Sequence, residues 1–340
     1  MNIDLRTRYL GLQLSNPVVV SACPLTGELD VLRRLEGYGA AAAVLPSLFE
    51  EQLEAPAVPP ATVDKSAAVE FQQAAAYYHE LRQYNHGPEA YLKYVTAAKQ
   101  AVAIPIIGSL NVNRLGDWVT YARKIEEAGA DALELNAYFL TTDFETTARD
   151  VEARYVELVA AVREAISLPL SVKIGPQFTA LPNMARRLVD AGADGLVLFN
   201  RFLQPDIDLD TLRVVPRLTL STPEEIRGTL RWIALLHGRI DGSLAATTGA
   251  HFADDVIRLV MAGADVVMVC STLYRHGIET LEPLIGGLRY WLEAHDYQSI
   301  DQIRGVLSHR RCPDSAALAR ANHTKAITGF ATDSQFTAMP

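Results

Sequence analysis

Three segments of the chain, EEAGADALEL at 126–135, VDAGADGLVLF at 189–199 and VMAGADVVMV at 260–269, repeat one short pattern. In each, an apolar-periodic helix ends at Ala-Gly-Ala-Asp, and a run rich in Val, Leu and other apolar residues follows. Glycine commonly ends helices, and such runs are typical of parallel strands buried on both faces. A weaker copy, EGYGAAAAVL, occupies 36–45. The repeat therefore predicts helix-to-strand units joined in series.

Similar runs elsewhere raise the number of predicted strands to eight. They cover 17–22, 41–45, 104–110, 132–136, 168–174, 195–200, 243–247 and 264–270. Helical patterns separate them near 28–37, 88–102, 114–128, 150–166, 182–191, 223–237 and 251–262, with a last one near 278–295. Strict alternation indicates an α/β protein with a parallel sheet, and eight units favour a closed (β/α)8 TIM barrel. We expect residues 1–340 to form this barrel as a single domain, with an open doubly wound sheet as the alternative.

Two connections are too long for simple loops between a strand and a helix: 47–87 after the second strand and 201–222 after the sixth. Both are predicted at the carboxyl-end face, where barrel enzymes build their sites. The first contains the Pro-rich segment EAPAVPPATVDKS at 54–66, which suits either a substrate cover or a plain surface excursion. The C-terminal tail, 296–340, is expected to pack on the barrel or on a partner subunit.

Composition excludes several classes of function. The formal charge of -9 is spread along the chain without a Lys/Arg block, which argues against nucleic acid as a partner. No secretory signal is visible and the apolar runs are too short to span a bilayer, so we expect no membrane association. Three distant cysteines and no paired histidine spacing predict neither a disulfide framework nor a metal site. These features suit a cytoplasmic protein.

Polar residues cluster where the predicted strands end, at the face that carries function in this architecture. These residues are Ser21, Cys23, Thr26, Ser47, Ser109, Asn111, Asn113, Asn136, Tyr138, Lys173, Asn200, Thr247, Thr248, Gly249, Cys270 and Ser271.

Lys173, in SVKIG at 171–175, places an ammonium group at the end of an otherwise apolar strand. A charge there is unfavourable unless an anion lies nearby. The lysine could face the N1/O2 edge of a flavin, which gains negative charge on reduction, or serve as a Schiff-base amine. A lysine that extends to solvent at the barrel rim is the third interpretation.

After the seventh strand, TTGAHFADDV leads directly into a helix, so the amides of Thr248, Gly249 and Ala250 are expected to point outward near its positive end. Ser271 follows the eighth strand beside them. Loops after strands seven and eight often bind phosphate in such barrels, although plain turns would give the same residues. His251 is expected in the first turn of the helix and is given no role.

Two asparagines, Asn136 and Asn200, end the fourth and sixth strands. Their amides can donate and accept hydrogen bonds at once, which suits a heterocycle edge, but asparagine also caps turns. Cys23 could be a reactive thiol, although a cysteine at an apolar strand end is usually a small hydrophobic residue.

Taken together, the motifs resemble the soluble, FMN-binding class of the dihydroorotate dehydrogenases. The resemblance rests on LGLQLSNPVVVSACPLTG at 10–27, LELNA at 133–137, LSVKIGP at 170–176, the segment 247–277 and HDYQSIDQIRG at 295–305. It implies that Asn136 and Lys173 contact the flavin and that Asn200 faces flavin and substrate. It also implies a phosphate site at Thr248, Gly249, Cys270 and Ser271, with Ser21 and Ala22 along the ribityl chain.

The chain departs from this family in the acid–base part of the site, and in this it resembles the dihydroorotate dehydrogenase-like subgroup with altered catalytic residues. The loop after strand four, NAYFLTTDFE at 136–145, lacks the Cys or Ser base of the family and offers the hydroxyls of Tyr138, Thr141 and Thr142. The family's second lysine is missing from AAAVLPSLFE at 41–50, and LTLST at 218–222 replaces its Gly-rich segment. Tyr138 is the candidate catalytic residue, although a pKa near ~10 makes an ordinary phenol a poor base at neutral pH.

The sequence therefore predicts an FMN-dependent oxidoreductase of pyrimidine biosynthesis that acts on dihydroorotate or a related small ring. The resemblance also implies a soluble electron acceptor and a homodimer. Two alternatives are a flavin-binding partner protein without turnover of its own, and an aldolase-type lyase in which Lys173 forms the Schiff base.

Overall fold

The chain forms a closed barrel of parallel strands with helices between them, as the repeat predicts. The structure, a computed structural model, describes residues 3–49, 52, 87–112, 118–201 and 204–330. Its strands are β1 (Thr7–Tyr9), β2 (Leu12–Leu14), β3 (Val18–Val20), β4 (Ala43–Val44), β5 (Leu48–Phe49), β6 (Ile106–Val112), β7 (Ala132–Ala137), β8 (Leu170–Ile174), β9 (Gly195–Leu198), β10 (Gln204–Asp208), β11 (Arg213–Arg217), β12 (Ser243–Thr247) and β13 (Val266–Val269). Its α-helices are α1 (Leu29–Gly37), α2 (Pro88–Ala101), α3 (Trp118–Glu127), α4 (Ala148–Ala165), α5 (Leu181–Asp190), α6 (Ile226–Leu236), α7 (Ala253–Ala262), α8 (Ser271–His276), α9 (Leu281–Ala294) and α10 (Ser315–Phe330).

Parallel pairing closes the barrel. The strands follow the order β4–β3–β13–β12–β9–β8–β7–β6, and β6 pairs with β4 to complete the circle. The second barrel strand is split into β4 and β5, because Pro46 lies between them and has no backbone N–H. Strand β5 pairs with β6 nearer the carboxyl end of β6 than β4 does. The predicted (β/α)8 TIM barrel is confirmed, and the open doubly wound sheet is wrong.

The Ala-Gly-Ala-Asp repeat has a clear structural role. Its glycines, with φ between 93° and 121°, adopt a backbone that few other residues tolerate and so end the helices. The Oδ2 atoms of Asp131, Asp194 and Asp265 accept hydrogen bonds from a backbone N–H at the start of the neighbouring strand, at 2.7, 2.8 and 2.7 Å. The N–H of each aspartate donates back to the carbonyl of that same partner. Each repeat thus ends a helix and fixes the register of the next strand.

Side chains alternate along the barrel strands, so every second residue points into the barrel. On β8, Leu170 and Val172 pack outward against the helices, whereas Ser171 and Lys173 occupy the opposite set of positions. The amino end of the interior is closed by the β1–β2 hairpin, whose Tyr9 is fully buried against inward-facing barrel residues. The carboxyl end is left for the site.

The long connection after the sixth strand forms an antiparallel hairpin, β10–β11, which the sequence did not predict. It stands at the carboxyl-end face, between β9 and α6. Of the long connection after the second strand, only 47–49, 52 and 87 are described. The Pro-rich segment 54–66 and Asn113 lie outside the described residues.

The first part of the C-terminal tail lies on the barrel. Ser299 forms a bridge with Asp4, and Gly305 and Leu307 donate backbone hydrogen bonds to the last turn of α7. In helix α10, Ser315 and Ala317 are half-buried and the residues from 318 to 329 are exposed. Within the described part of the chain, no helix combines the length and the apolar character needed to cross a membrane.

Candidate functional site

Most residues that the sequence singled out line one cavity of about 160 Å³ at the carboxyl ends of the strands. Those that line it are Ser21, Ala22, Lys173, Asn200, Thr247, Thr248, Gly249, Ala250, Cys270 and Ser271. They come from β3, β8, β9, β12 and β13 or from the loops that follow these strands. Closure of the barrel brings these ends together, because parallel strands end at the same face.

Lys173 lies at the base of this cavity and is 7% exposed. Its Nζ donates a hydrogen bond to Ser21 Oγ at 3.3 Å and lies 3.6 Å from Glu134 Oε1. The lysine is therefore held by two partners inside the barrel and does not extend to solvent at the rim. The rim interpretation is wrong.

Glu134 is one residue of the site that the sequence did not indicate to us. It is completely buried within β7, and neither carboxylate oxygen has a hydrogen-bond partner among the described residues. Burial raises the pKa of Glu134, and the charge of Lys173 offsets part of that rise. The segment LELNA was treated as one apolar run, but its period-2 pattern puts Glu134 on the inward face with Asn136. That periodicity was the available signal.

The two predicted strand-end asparagines bond directly to each other. Asn200 Nδ2 donates to Asn136 Oδ1 at 2.8 Å, and the register pairs Asn136 with Lys173 across β7 and β8. Asn136 is 8% exposed, and Asn200 lines the cavity. The pair leaves other amide atoms available for a ligand edge, and its contact fixes the orientation of both side chains.

The loops after β12 and β13 are joined through Ser221, which lies in the segment 218–222. Ser221 N–H donates to Ser271 Oγ at 3.0 Å, and Gly249 N–H donates to Ser221 Oγ at 3.4 Å. Gly249 has a φ of 83°, and a Cβ there would lie 2.3 Å from the backbone nitrogen of Ile226. Only glycine fits this position. These two hydroxyl groups and two amide groups form one polar wall of the cavity.

His251 is placed differently from the prediction. Phe252 is the N-cap of α7, so His251 precedes the helix and does not lie in its first turn. The reason is Asp255, whose Oδ2 accepts the backbone N–H groups of both His251 and Phe252 at 3.0 Å. The His251 ring is buried, with Nε2 3.2 Å from Ser221 Oγ, and burial and then Arg275 lower its pKa. A neutral imidazole thus supports Ser221.

Cys23 and Cys270 face each other at the ends of β3 and β13. A hydrogen bond from Cys270 lowers the pKa of the Cys23 thiol, and the same contact raises the pKa of Cys270. Cys23 is buried, as expected for a small hydrophobic residue, whereas Cys270 lines the cavity.

A second cavity of about 680 Å³ adjoins the first and shares its rim. The shared residues are Phe199, Asn200, Arg201, Leu218, Thr219 and Thr248. Tyr138 lines this larger cavity but not the smaller one. Arg201 forms an ion pair with Glu225 and donates a hydrogen bond from Nη2 to the carbonyl of Thr219 at 2.8 Å. Arg201 was not predicted, because nothing in its sequence context marks it.

Burial raises the pKa of Tyr138, so its phenol is an even poorer base at neutral pH than an ordinary tyrosine. Thr141 Oγ1 is buried and has no hydrogen-bond partner among the described residues. Within that part of the chain no cluster of His, Cys, Asp and Glu suits a metal ion.

Comparison with known proteins gives a consistent family. The family model described as dihydroorotate dehydrogenase matches residues 81–292. The catalytic subunit of dihydroorotate dehydrogenase B (NAD(+)) from Methanothermobacter thermautotrophicus is 24% identical over 310 residues, which cover 89% of this chain and 98% of the relative. A putative dihydroorotate dehydrogenase A (fumarate) from Aeropyrum pernix is 27% identical over 224 residues, covering 64% and 72% of the two chains.

Proposed function

Because the chain belongs to the dihydroorotate dehydrogenase family, we propose that it is an FMN-dependent oxidoreductase acting on dihydroorotate or a related small ring. The observation that carries this proposal is the smaller cavity. There, the ammonium group of Lys173 and the donor-rich loops after β12 and β13 open into the same space. A ligand with an electron-accepting ring and a terminal phosphate would suit this cavity, with its ring beside Lys173 and its phosphate at the two loops.

The residues present fit FMN. A Cβ at position 249 would collide with Ile226. Gly249 therefore allows its loop to lie close to the first turn of α6. Ser271 and Thr248 add hydroxyl groups next to it, and these groups suit a phosphate. We propose that Thr248, Gly249, Cys270 and Ser271 hold the phosphate group, and that Ser21 and Ala22 lie along the ribityl chain.

Bound FMN supplies a two-electron acceptor whose ring gains negative charge on reduction. Lys173 would face the N1/O2 edge and stabilise that charge, while Ser21 and Glu134 keep the ammonium in place. Asn136 and Asn200 would present amide groups to the ring and the substrate, with their mutual hydrogen bond fixing their orientation. These side chains bind and orient, and we assign none of them proton transfer.

The larger cavity is the proposed substrate site, because its rim is shared with the smaller one. Arg201 and Asn200 lie on that shared rim, and Tyr138 lies on the wall of the larger cavity. The guanidinium of Arg201 would attract an anionic substrate group, in place of the lysine that is missing after strand two. Glu225 neutralises part of its charge and keeps it in the rim.

The names of the relatives include NAD(+) in one case and fumarate in the other, so they do not point to one electron acceptor. We propose a soluble acceptor, and a homodimer as the assembly.

The first test is the visible spectrum of protein purified without added cofactor, followed by anaerobic addition of dihydroorotate. We expect a yellow protein whose flavin band is bleached. A yellow protein that no pyrimidine bleaches would favour a flavin-binding partner without turnover. A colourless protein that FMN cannot reconstitute, and that borohydride traps on a sugar phosphate, would favour the lyase.

If Tyr138 is the base, the bleaching rate should rise about tenfold per pH unit from pH ~6 to beyond pH ~10. The reason is that phenolate is the reactive form and burial raises the pKa of this tyrosine. The Tyr138→Phe variant should lower the rate by ~100-fold or more. Stopped-flow bleaching across this pH range measures both effects.

The control is Tyr155→Phe. Tyr155 is also a tyrosine whose pKa is raised by burial, but it lies in α4, and its Oη accepts a hydrogen bond from the Phe139 N–H. It lines neither cavity. A rate that is independent of pH, with Tyr138→Phe no slower than Tyr155→Phe, would remove Tyr138 from the mechanism.

A further inference from the structure

The interior of the barrel contains an acid that the proposed function does not use directly. Glu134 is completely buried, and both of its carboxylate oxygens lack hydrogen bonds among the described residues. A carboxylate in such a place is strongly unfavourable unless a cation compensates it. Its retention inside the barrel therefore requires a partner.

Among the residues that the structure describes, no neighbouring group supplies a hydrogen bond to this carboxylate. Ser109 and Ser171 flank Glu134 in register, but the Ser109 hydroxyl bonds to Ser47 at 2.7 Å and the Ser171 hydroxyl to the Leu133 carbonyl at 3.4 Å. Tyr9 lies below, and burial raises the pKa of its phenol, so it remains neutral. In the described part of the chain, the cation that reaches Glu134 is Lys173, at 3.6 Å.

Lys173 in turn lies between Glu134 and the cavity. Its side chain is 8% exposed, and that exposed part opens into the space lined by Ser21 and Cys270. The ammonium group therefore has a carboxylate behind it and the ligand site in front of it. Any charge on Glu134 subtracts from the potential that the ammonium group projects into the cavity.

We propose that Glu134 is a positioning residue that holds Lys173 at the base of the cavity and lowers the reduction potential of bound FMN by offsetting the lysine charge. This inference rests on the proposed function. A positive charge beside the ring favours the reduced cofactor, which carries more negative charge, so removal of the Glu134 charge should favour reduction.

The test is the midpoint potential of bound FMN in the wild-type protein and in Glu134→Gln, measured by equilibration with redox dyes. Glutamine keeps the size of the side chain and removes its charge. We expect Glu134→Gln to shift the equilibrium toward reduced FMN by at least tenfold, or about 30 mV for a two-electron couple. The Glu134→Asp variant retains the charge and should remain closer to the wild-type potential.

The matched control is Asp265→Asn. Asp265 directly precedes β13, at the opposite end of the barrel from the cavity, and it pairs with Arg304 at 3.6 Å. This variant also removes one carboxylate charge from the barrel, but the FMN potential should not move. An unchanged potential in Glu134→Gln that still binds FMN overturns the inference. A wild-type protein that does not bind FMN overturns the proposed function instead. If Glu134→Gln does not fold, the potential of FMN bound to Glu134→Asp is compared with that of Asp265→Asn and of the wild-type protein. Because aspartate retains the charge, equal potentials support the inference, and a shift of the FMN equilibrium of tenfold or more in Glu134→Asp contradicts it.

Discussion

The Lys173→Met variant should bind FMN about 10- to 100-fold more weakly than the wild-type protein. The expectation follows from the loss of a charge-assisted hydrogen bond, which contributes ~1.5–3 kcal/mol when the donor is ionised. Methionine has a similar length to lysine and can fill the position between Ser21 and the cavity. Fluorescence titration with FMN measures the dissociation constant directly.

The same variant should also destabilise the barrel, because it leaves Glu134 buried without a cation. Removing one partner of a buried ion pair typically costs ~3–5 kcal/mol of unfolding free energy. In the wild-type protein Lys173 offsets part of the rise that burial causes in the pKa of Glu134, and methionine removes this offset. The folded protein then binds the proton more tightly than the unfolded chain, whose Glu has a pKa near ~4.3. The destabilisation should therefore be smallest at low pH and grow as the pH rises.

Urea unfolding at pH ~5 and pH ~8 tests this sign. The double variant Lys173→Met/Glu134→Gln separates the two effects, because it has no buried charge to compensate but still lacks the ammonium group. It should recover most of the stability and none of the FMN affinity. If the double variant binds FMN as tightly as the wild-type protein, Lys173 does not contact the cofactor. If Lys173→Met is as stable as the wild type at both pH values, the ion pair is not important for the fold.

The fold could be predicted because its determinants are local and repeated. Each Ala-Gly-Ala-Asp segment contains both the glycine that ends a helix and the aspartate that joins two strands, so three copies indicated the architecture directly. The hairpin β10–β11 was not predicted, since its strands pair with each other at the rim and none of the side chains that the structure describes in them is buried. Short exposed strands of this kind carry little hydrophobic periodicity.

The site could be predicted only in part, because strand ends can be located from sequence whereas contacts across the barrel cannot. Lys173 and Asn200 were identified from their positions at the ends of apolar runs. Glu134 was missed because a charge in the middle of a strand contradicts the usual rule of burial, and its partner is on the next strand. Ser221 and His251 were missed for a related reason. Their contact joins a loop after the sixth barrel strand to a loop after the seventh, and no sequence spacing encodes that distance.

A negative charge on the phosphate side of the cavity should eliminate the preference for FMN over riboflavin. Ser271→Asp places a carboxylate where Ser271 Oγ now accepts a hydrogen bond from Ser221 N–H. Two like charges ~4 Å apart repel by ~4 kcal/mol at an effective dielectric constant of ~20. Solvent in an open cavity screens part of this repulsion, so we expect FMN to bind ~100-fold more weakly. The variant should fold, because Ser271 begins α8 and an acidic residue is favourable at a helix N-terminus.

Riboflavin provides the decisive comparison for Ser271→Asp, because it has the same ring and ribityl chain but no phosphate. Its affinity should change less than ~3-fold, since riboflavin has no charge for the new carboxylate to repel. Ser271→Ala serves as the matched control, because it removes the hydroxyl without adding charge and should weaken FMN by ~10-fold at most. Titration of all three proteins with both flavins gives the result. Equal losses of FMN and riboflavin in Ser271→Asp would mean that the phosphate lies elsewhere, since a charge acting on the phosphate cannot weaken a ligand that lacks one.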